Sequence, residues 1–219
     1  MTDNPIFSFM IVNENLTTYL HSLDQNGPDW LEKIRTEAIA AEVPIIRREM
    51  ESFIRVLFMI TGPERILEIG TGVGYSALFM ESCLDTVSIV TIENYAPRLV
   101  TARENLEGHD RIRLLEADAK EALKHMEDPF DFIFLDAAKA QYITMLPDLL
   151  RLMKTGSLLL ADNVLQEGNL IQSRYIIPRR QRTIHSRMRE FLWEVTHHPQ
   201  LTSSVVTIGD GVVLSTKMF

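Results

Sequence analysis

The feature that most constrains this chain is the stretch from Arg65 to Ser76, RILEIGTGVGYS, in which three glycines follow a short apolar run. The apolar run predicts a buried strand, Gly70, Gly72 and Gly74 predict a turn, and the residues after them begin a helix. A strand that passes through glycines into a helix brings backbone N–H groups close to a ligand. The pattern therefore predicts a ligand-binding loop or, as the alternative, a tight connection without a ligand.

The class of ligand is indicated by the glycine spacing and by Glu68, the acidic residue just before the first glycine. The G-x-G-x-G spacing departs from the G-x-G-x-x-G pattern of dinucleotide-binding loops. A carboxylate beside the loop repels a pyrophosphate, but it suits a ligand with an amino group or a cationic centre. S-adenosylmethionine carries an amino group and a sulfonium, so we predict it as the cofactor.

Strands alternate with helices from this stretch onward, which predicts parallel βαβ units. Nearly continuous apolar strands predict a sheet that is covered on both faces. The predicted strands are Ile66 to Ile69, Val87 to Glu93, Ile112 to Ala117, Phe130 to Leu135 and Gly156 to Leu160. The predicted helices between and after them are Ser76 to Leu84, Ala96 to Leu106, Ala119 to Met126 and Gln141 to Met153.

The two ends of the chain follow different patterns. Three helices are predicted before residue 62, and they would cap the sheet and cover the ligand. Their predicted ranges are Asn13 to Ser22, Trp30 to Glu42 and Ile45 to Ile60. After the fifth strand, we predict a loop over Gln166 to Ile177 and a long basic helix over Pro178 to His197. A β-hairpin follows, with strands over Leu201 to Ile208 and Val212 to Thr216. We predict one α/β domain over residues 1–219, with a helical cap (1–62) and a core (63–219).

Composition narrows the possible functions. A length of 219 residues fits one large domain. A net charge of −8 argues against a general nucleic-acid binder, although a chain of this net charge can still have a local basic face. The single cysteine, Cys83, excludes an internal disulfide and a cysteine zinc site. No signal peptide and no membrane span is predicted, so we expect a cytoplasmic protein.

Polar residues stand where the first three predicted strands end. In an open parallel sheet, ligands bind outside these carboxyl ends. Glu93 ends the second strand, where a carboxylate can accept both ribose hydroxyls of a nucleoside, or else is a solvated loop charge. Asp118 and Ala119 follow the third strand, where an adenine ring can rest, and Asp118 is equally suited to cap the next helix.

The fourth and fifth strands end in oxygen donors. Asp136 follows the fourth strand, and Asp162 and Asn163 follow the fifth. Carboxylate and amide oxygens at neighbouring strand ends suit Mg²⁺ or Ca²⁺, so we predict a metal site there. Lys139 comes three residues after Asp136, and it is either a base for a substrate hydroxyl or a surface lysine.

A basic segment from Arg174 to Arg189 reverses the sign of the overall charge. It contains six arginines and a histidine without an acidic residue, namely Arg174, Arg179, Arg180, Arg182, His185, Arg187 and Arg189. Guanidinium groups bind phosphate bidentately. The segment predicts a phosphate-binding face or, as the alternative, a solvated helix face or a dimer contact.

Four motifs together, LEIGTGVGYS, VTIE, FLDAAKAQY and LLADNVLQEG, resemble the metal-dependent O-methyltransferases of the catechol and caffeoyl-CoA type. Within that family the chain is similar to bacterial tRNA 5-hydroxyuridine methyltransferases, in EVPII, the arginine-rich stretch and WEVTHHPQLTSSVVTIGDGVVLS. The resemblance implies a Rossmann-like class I methyltransferase fold, with a seven-stranded mostly parallel sheet, a C-terminal antiparallel hairpin and N-terminal capping helices. Ala140 and Ile46 depart from the glycine and methionine that are common in these relatives.

The resemblance also implies roles for individual residues. Asp136, Asp162 and Asn163 would bind Mg²⁺, and Lys139 would be the catalytic base or an orienting cation. The residues implied or predicted to bind S-adenosylmethionine are Ile46, Glu68, Gly70, Ser76, Glu93, Asp118, Ala119 and Asp136, and those predicted to bind tRNA are Arg179, Arg180 and Arg182.

Three functional hypotheses follow. The first is methylation of 5-hydroxyuridine at the tRNA wobble position to give 5-methoxyuridine. The second, the alternative, is the same methyl transfer to a small catechol-like or caffeoyl-CoA-like substrate. The third, a binding module without activity, is disfavoured because the two carboxylates and the lysine are present. The apolar segment 1–12 and the hairpin edge further predict a homodimer.

Overall fold

The computed structural model describes residues 14–24 and 26–219. Eight α-helices are present in this part of the chain: α1 Glu14–Leu23, α2 Asp29–Ala40, α3 Arg48–Thr61, α4 Tyr75–Ser82, α5 Ala96–Leu106, α6 Ala119–His125, α7 Tyr142–Leu152 and α8 Arg182–His197. The seven strands are β1 Arg65–Ile69, β2 Ser88–Glu93, β3 Ile112–Glu116, β4 Phe130–Leu135, β5 Met153–Ala161, β6 Leu201–Val206 and β7 Val212–Lys217.

The strands form one sheet in the order β3-β2-β1-β4-β5-β7-β6. The first five are parallel to their neighbours, and β7 is antiparallel to both β5 and β6. The strand order reverses between β1 and β4, and a crevice opens at such a switch point outside the carboxyl ends of the strands. This topology confirms the predicted Rossmann-like fold with its C-terminal hairpin.

Helices cover the sheet on both faces, as the apolar strands predict. Phe132 and Phe134 of β4 pack with helices α2, α3 and α4 in one core cluster. Ile133 and Leu135, the alternate residues of the same strand, pack with α6, α7 and α8 in the other cluster. Successive side chains of a strand point to opposite faces, so each strand supplies both cores. The capping helices α2 and α3 are thus part of one core layer.

Several predicted boundaries differ from the structure; for example, α3 begins at Arg48 rather than Ile45, and β6 ends at Val206 rather than Ile208. Helix α8 begins at Arg182 rather than Pro178, because a separate 3₁₀ turn, Arg179–Gln181, comes first. Strand β5 begins at Met153, and a register shift against β4 accommodates its longer start. The predicted loop after β5 contains a 3₁₀ segment, Gln166–Ile171. Segment 1–12, on which the dimer prediction partly rests, lies outside the described residues.

The hairpin turn before β7 packs against the end of β5. Gly211 has a φ of +77°, and a side chain there would place a Cβ 2.3 Å from Cγ of Leu165. Val164 and Leu165 donate backbone hydrogen bonds to the carbonyls of Gly211 and Asp210. The hairpin therefore supports the loop that follows Asp162. Within residues 14–24 and 26–219, no helix is long and apolar enough to cross a membrane.

Candidate active site

A cavity of about 570 Å³ lies at the carboxyl ends of β1 to β5. The predicted residues that line it are Ile46, Gly70, Ser76, Glu93, Asp118, Ala119, Asp136, Lys139, Asp162 and Asn163. One predicted cofactor residue, Glu68, is not part of the lining, and neither are the three arginines predicted to bind tRNA. The structure thus brings the residues at all five strand ends to one site.

The glycine loop lets β1 and β4 end against each other. Gly70 has a φ of +104°, and a Cβ on it would lie 2.0 Å from the carbonyl oxygen of Asp136. Only glycine fits where the backbone approaches so closely. The N–H groups of Gly70 and Thr71 donate to the carbonyl of Ile92, which holds the loop on the end of β2. The loop therefore has a fixed position beside the cavity.

Two carboxylates in the nucleoside half of the cavity are held by backbone N–H groups. Glu93 accepts hydrogen bonds from the N–H groups of Gly72 at 3.0 Å, Asn94 at 2.9 Å and Tyr95 at 2.8 Å. Asp118 accepts bonds from the N–H groups of residues 120 and 121, which makes it the N-cap of α6. The capping alternative is confirmed for Oδ1, and the other oxygen, Oδ2, accepts a hydrogen bond from Nδ2 of Asn94 at 3.5 Å.

Glu68 is fully buried behind the loop. Its Oε2 accepts a hydrogen bond from the hydroxyl of Thr91 at 2.5 Å, and Thr91 in turn bonds to Thr71 at 2.6 Å. Its Oε1 has no hydrogen-bond partner among the described residues. Burial raises the pKa of Glu68 to about 7, and the charges of Asp136 and Glu93 add to this effect. Glu68 therefore contacts the loop through Thr91 and Thr71 and does not line the cavity.

Asp136 and Lys139 form an ion pair in the other half of the cavity. Nζ of Lys139 donates to Oδ1 of Asp136 at 2.7 Å and to the hydroxyl of Tyr142 at 2.9 Å. Burial lowers the pKa of Lys139, but its interactions with Tyr142 and Asp136 outweigh burial, and the net pKa is raised. Two hydrogen bonds thus fix Nζ of Lys139 between Asp136 and Tyr142.

Tyr142 connects the lysine to two strand ends. Its hydroxyl lies 2.9 Å from the carbonyl oxygen of Leu135 and 3.2 Å from that of Asp162. Its ring is fully buried and packs edge-on against Phe191 of α8. The tyrosine therefore anchors Lys139 to the ends of β4 and β5. The only sequence signal for it is its place three residues after Lys139.

Asp162 and Asn163 complete this half of the cavity. Asp162 is 6% exposed, and its Oδ1 accepts the N–H of Asn163 at 2.6 Å. Burial raises the pKa of Asp162 to about 7, the charge of Asp136 raises it further, and Lys139 and Arg47 oppose the shift. Asn163 has a φ of +53°, a backbone conformation that asparagine tolerates better than most residues.

The residues at this edge fit a divalent cation. Two carboxylates and an amide are hard oxygen donors of the kind that Mg²⁺ prefers, and water or substrate oxygens usually complete its coordination. The raised pKa of the buried Asp162 beside Asp136 is the strain that a bound cation would relieve. Among the residues that the structure describes, no three His, Cys, Asp or Glu side chains form a metal-binding group, so Asn163 would have to contribute.

Sequence reasoning missed further residues of the cavity. Besides Tyr142, the structure brings Arg47, Arg98 and Gln141 to the site, and the last three line the cavity. Arg47 comes from the connection before α3 and Arg98 from the first turn of α5, at positions that no local pattern distinguishes. Both add positive charge to a cavity that contains several carboxylates.

The basic segment lies outside the cavity and divides into two groups. Arg174, Arg179 and Arg180 are exposed, and no hydrogen bond or ion pair of their side chains is found within residues 14–24 and 26–219. The other three donate to backbone carbonyls: Arg182 to Ile177 and Tyr175, Arg187 to Ala140, and Arg189 to Leu170. Arg182 and Arg189 therefore hold the segment before α8 in place, whereas Arg187 connects α8 to the residue after Lys139.

Comparison with known proteins agrees with this geometry. The family model for O-methyltransferases matches residues 21–218. Caffeoyl-CoA O-methyltransferase from Petroselinum crispum is 30% identical over 181 residues, which cover 76% of this chain and 73% of that protein.

Solved structures extend the agreement to the fold. The crystal structure of a Staphylococcus aureus protein has a TM-score of 0.86 and 30% identity, covering 94% of this chain and 100% of the other. An O-methyltransferase from Bacillus cereus in complex with SAH has a TM-score of 0.81 and 25% identity, covering 93% and 97%. The chain therefore belongs to the O-methyltransferase family of caffeoyl-CoA and catechol type, and it is an S-adenosylmethionine-dependent O-methyltransferase.

Proposed function

We propose that this enzyme methylates a substrate hydroxyl held beside Asp136, Asp162 and Asn163. These three residues would bind a divalent cation, for which Mg²⁺ is our first choice. The observation that carries the proposal is the Asp136–Lys139 ion pair next to the buried Asp162, in the cavity that also contains the glycine loop. A divalent cation, when bound, would lower the pKa of a hydroxyl that it contacts.

The nucleoside half of the cavity would hold S-adenosylmethionine, which supplies the methyl group as an electrophilic sulfonium. Glu93 would accept the ribose hydroxyls, because its oxygens keep lone pairs beyond the three N–H groups that fix it. Asp118 and Ala119 would contact the adenine. The remaining predicted contacts are the glycine loop with Gly70, the hydroxyl of Ser76, and Ile46 as an apolar wall.

Lys139 would act as an orienting cation for the reacting oxygen. Its Nζ already donates to Asp136 and to Tyr142, so its position is fixed from two sides. A group held in this way needs no reorganisation when negative charge develops on the substrate oxygen. The hydroxyl oxygen would form a bond to the methyl carbon as the sulfonium–methyl bond breaks, S-adenosylhomocysteine would be the leaving group, and the hydroxyl proton would pass to solvent.

The first substrate candidate is a small molecule with two neighbouring oxygens, such as a catechol or a caffeoyl-CoA-like compound. The observation in its favour is the similarity to a caffeoyl-CoA O-methyltransferase over three quarters of the chain. Two vicinal oxygens can bind one cation together, which holds the hydroxyl in line with the methyl group.

The second candidate is 5-hydroxyuridine in the anticodon loop of a tRNA, whose C4 carbonyl and C5 hydroxyl also present neighbouring oxygens. The observation in its favour is the exposed arginine group, with Arg179 and Arg180 free to contact phosphate and Arg182 beside them. Bases in an anticodon loop can be unstacked at low cost, so the hydroxyl can enter the cavity. This candidate uses the same methyl-transfer reaction as the first and differs only in the molecule that carries the hydroxyl.

One experiment tests both candidates. Purified protein, treated with a chelator, receives labelled S-adenosylmethionine with tRNA carrying 5-hydroxyuridine, with caffeoyl-CoA, or with a catechol panel, each with and without added Mg²⁺. Transfer that depends on Mg²⁺ supports the metal site, and the acceptor that is labelled identifies the substrate. Activity on tRNA that falls steeply with salt supports phosphate contacts, since counterions compete with them. Full activity without any divalent cation would contradict the proposal.

We also propose a homodimer in the cytoplasm. The support is the outer strand β6, which is paired on one side only, and the exposed apolar side chains of Val56, Met59 and Ile60 on α3. An unpaired strand edge or an apolar helix face is commonly covered by a second copy. A monomeric mass in light scattering would refute the dimer.

A further inference from the structure

A second cleft, of about 640 Å³, lies between the segment before α8 and α8 itself. We call it the His185 cleft and define it by the polar residues in its lining, which are Gln172, Ser173, Arg174, Tyr175, His185, Ser186 and Arg189. None of them lines the methyltransferase cavity. The proposed chemistry leaves this cleft without a role.

His185 is an unsatisfied group at the base of the cleft. It is 3% exposed, and neither Nδ1 nor Nε2 has a hydrogen-bond partner among the residues that the structure describes. A buried polar atom without a partner is costly, so native proteins rarely leave one unsatisfied. A ligand in the cleft that bonds to this imidazole would satisfy it.

The charge of the cleft selects an anion. Its lining contains two arginines and two serines but no Asp or Glu among the described residues, in a chain of net charge −8. Arg189 donates one N–H to the carbonyl of Leu170 at 2.6 Å, which fixes its guanidinium group at the rim and leaves its other N–H groups for a ligand. Arg174 is exposed and carries no such bond.

We propose that the His185 cleft binds the phosphate group of a phosphoester. Arg174 and Arg189 would hold the phosphate oxygens, and the His185 ring and the Ser186 hydroxyl would donate from below. Tyr175, 88% exposed at the rim, offers a ring on which an attached base could stack. The cleft is larger than one phosphate, so it has room for the group to which the phosphate is attached.

The identity of the phosphoester rests on the proposed function. A tRNA and a coenzyme A thioester both carry phosphates, whereas a free catechol carries none. Helix α8, which supplies His185, also donates a bond from Arg187 to the carbonyl of Ala140, next to Lys139. A phosphate bound in the cleft would thus be held by the helix that packs against the reacting edge. We therefore expect phosphate-bearing acceptors to bind more tightly than free catechols.

The test follows the imidazole signals of His185 by NMR, assigned by their loss in His185→Asn, while inorganic phosphate is added. We expect the signals to shift in the wild type, and the affinity for phosphate to fall about 5- to 10-fold in Arg174→Gln, since a charge-assisted hydrogen bond is lost. Arg113→Gln is the matched control, because Arg113 is also exposed but lies on β3, at the opposite edge of the sheet.

Two further titrations identify the source of the phosphate. One titration adds an RNA hairpin with an anticodon stem, and the other adds coenzyme A, each to the same protein samples. The ligand class is the one that shifts the His185 signals and binds more weakly to Arg174→Gln than to Arg113→Gln. The proposal is overturned if phosphate leaves His185 unchanged, if the two arginine variants bind equally, or if neither RNA nor coenzyme A reaches the cleft. Failure of the proposed function would instead show as absent methyl transfer in the wild type, which these binding measurements do not involve.

Discussion

The two halves of the methyltransferase cavity differ in how their carboxylates are satisfied. At the ends of β2 and β3, Glu93 accepts three backbone N–H groups and Asp118 accepts two. At the ends of β4 and β5, Asp136 bonds to a lysine, and Asp162 accepts only the N–H of the next residue. The first half is complete by itself, whereas the second half has negative charge that its own hydrogen bonds do not balance.

This difference indicates which ligand each half is built for. Backbone N–H groups fix Glu93 and Asp118 in position. These side chains therefore lose little further conformational entropy when they bind neutral hydroxyl and amino groups. The buried Asp162, with its pKa of about 7, sits beside a second carboxylate, an arrangement that a cation stabilises. Mutations in the second half should therefore affect the reaction, and mutations in the first half should affect cofactor binding.

The largest expected effect is that of Asp162→Asn. The variant keeps the shape of the side chain but removes the buried charge, and we expect methyl transfer to fall about 1,000-fold or more, because a metal contributes several kcal/mol to the reaction. Labelled S-adenosylmethionine measures the rate, and Asp128→Asn, at an exposed carboxylate, is the control. If the Asp162 variant kept a tenth of the activity, the metal assignment would be wrong.

Gly70→Ala should disturb both halves together. The new Cβ would lie 2.0 Å from the carbonyl of Asp136, so β1 and β4 would have to separate, and we expect a loss of about 3 kcal/mol or more in unfolding free energy. Gly108→Ala has a similar positive φ but nothing within 4 Å of the added atom, and it should lose only about 1 kcal/mol. Urea unfolding compares the two, and equal losses would show that the close approach is unimportant.

The pH dependence of stability tests the charge buried behind the loop. Burial raises the pKa of Glu68 from 4.5 to about 7, so between these values the folded state keeps a proton that the unfolded state releases. Stability therefore falls as the pH rises from about 4.5 to about 7. Glu68→Gln removes this penalty, and its gain over the wild type should be larger at pH 8 than at pH 4.5 by about 3 kcal/mol.

Thermal unfolding of Glu68→Gln and the wild type without cofactor measures this difference. Glu104→Gln, at an exposed position on α5, is the control and should show no such pH dependence. A Glu68 variant that is less stable than the wild type at pH 8 would contradict a raised pKa of the buried carboxyl at this position.

Glu93→Gln should have the smallest effect and should change binding alone. The amide cannot accept all three N–H groups and the ribose hydroxyls at once, so we expect the KM for S-adenosylmethionine to rise about 10-fold. The kcat should stay within about twofold, because the residue lies away from the reacting oxygen. Steady-state kinetics separate the two constants, and a fall in kcat with an unchanged KM would reverse the roles of the two halves.

Much of this arrangement was predictable from the sequence, because parallel strands place their carboxyl ends at one edge. That rule was enough to predict that Glu93, Asp118, Asp136 and Asp162 meet, and the alternation of strands and helices predicted the sheet. These features depend on local pattern and on topology, which are encoded in short stretches of chain.

The remaining features depend on packing, which no short pattern encodes. Arg47 and Tyr142 reach the site only because α3 and α7 lie against the sheet in one particular way. Glu68 was predicted beside the ligand, but its side chain leaves the strand toward Thr91 and is buried. Arg182 was predicted as a phosphate ligand from its charge, whereas its bonds to two carbonyls depend on the path of the preceding loop.

The hairpin at the end of the sheet affects the order in which the sides of the cavity are supported during synthesis. Strand β7, the last of the sheet in chain order, pairs with β5, and the turn before it bonds to the residues just after Asp162. During synthesis, the residues after Asp162 can make these contacts only once β7 has been translated, so this side of the cavity is supported later than the ends of β1 to β4.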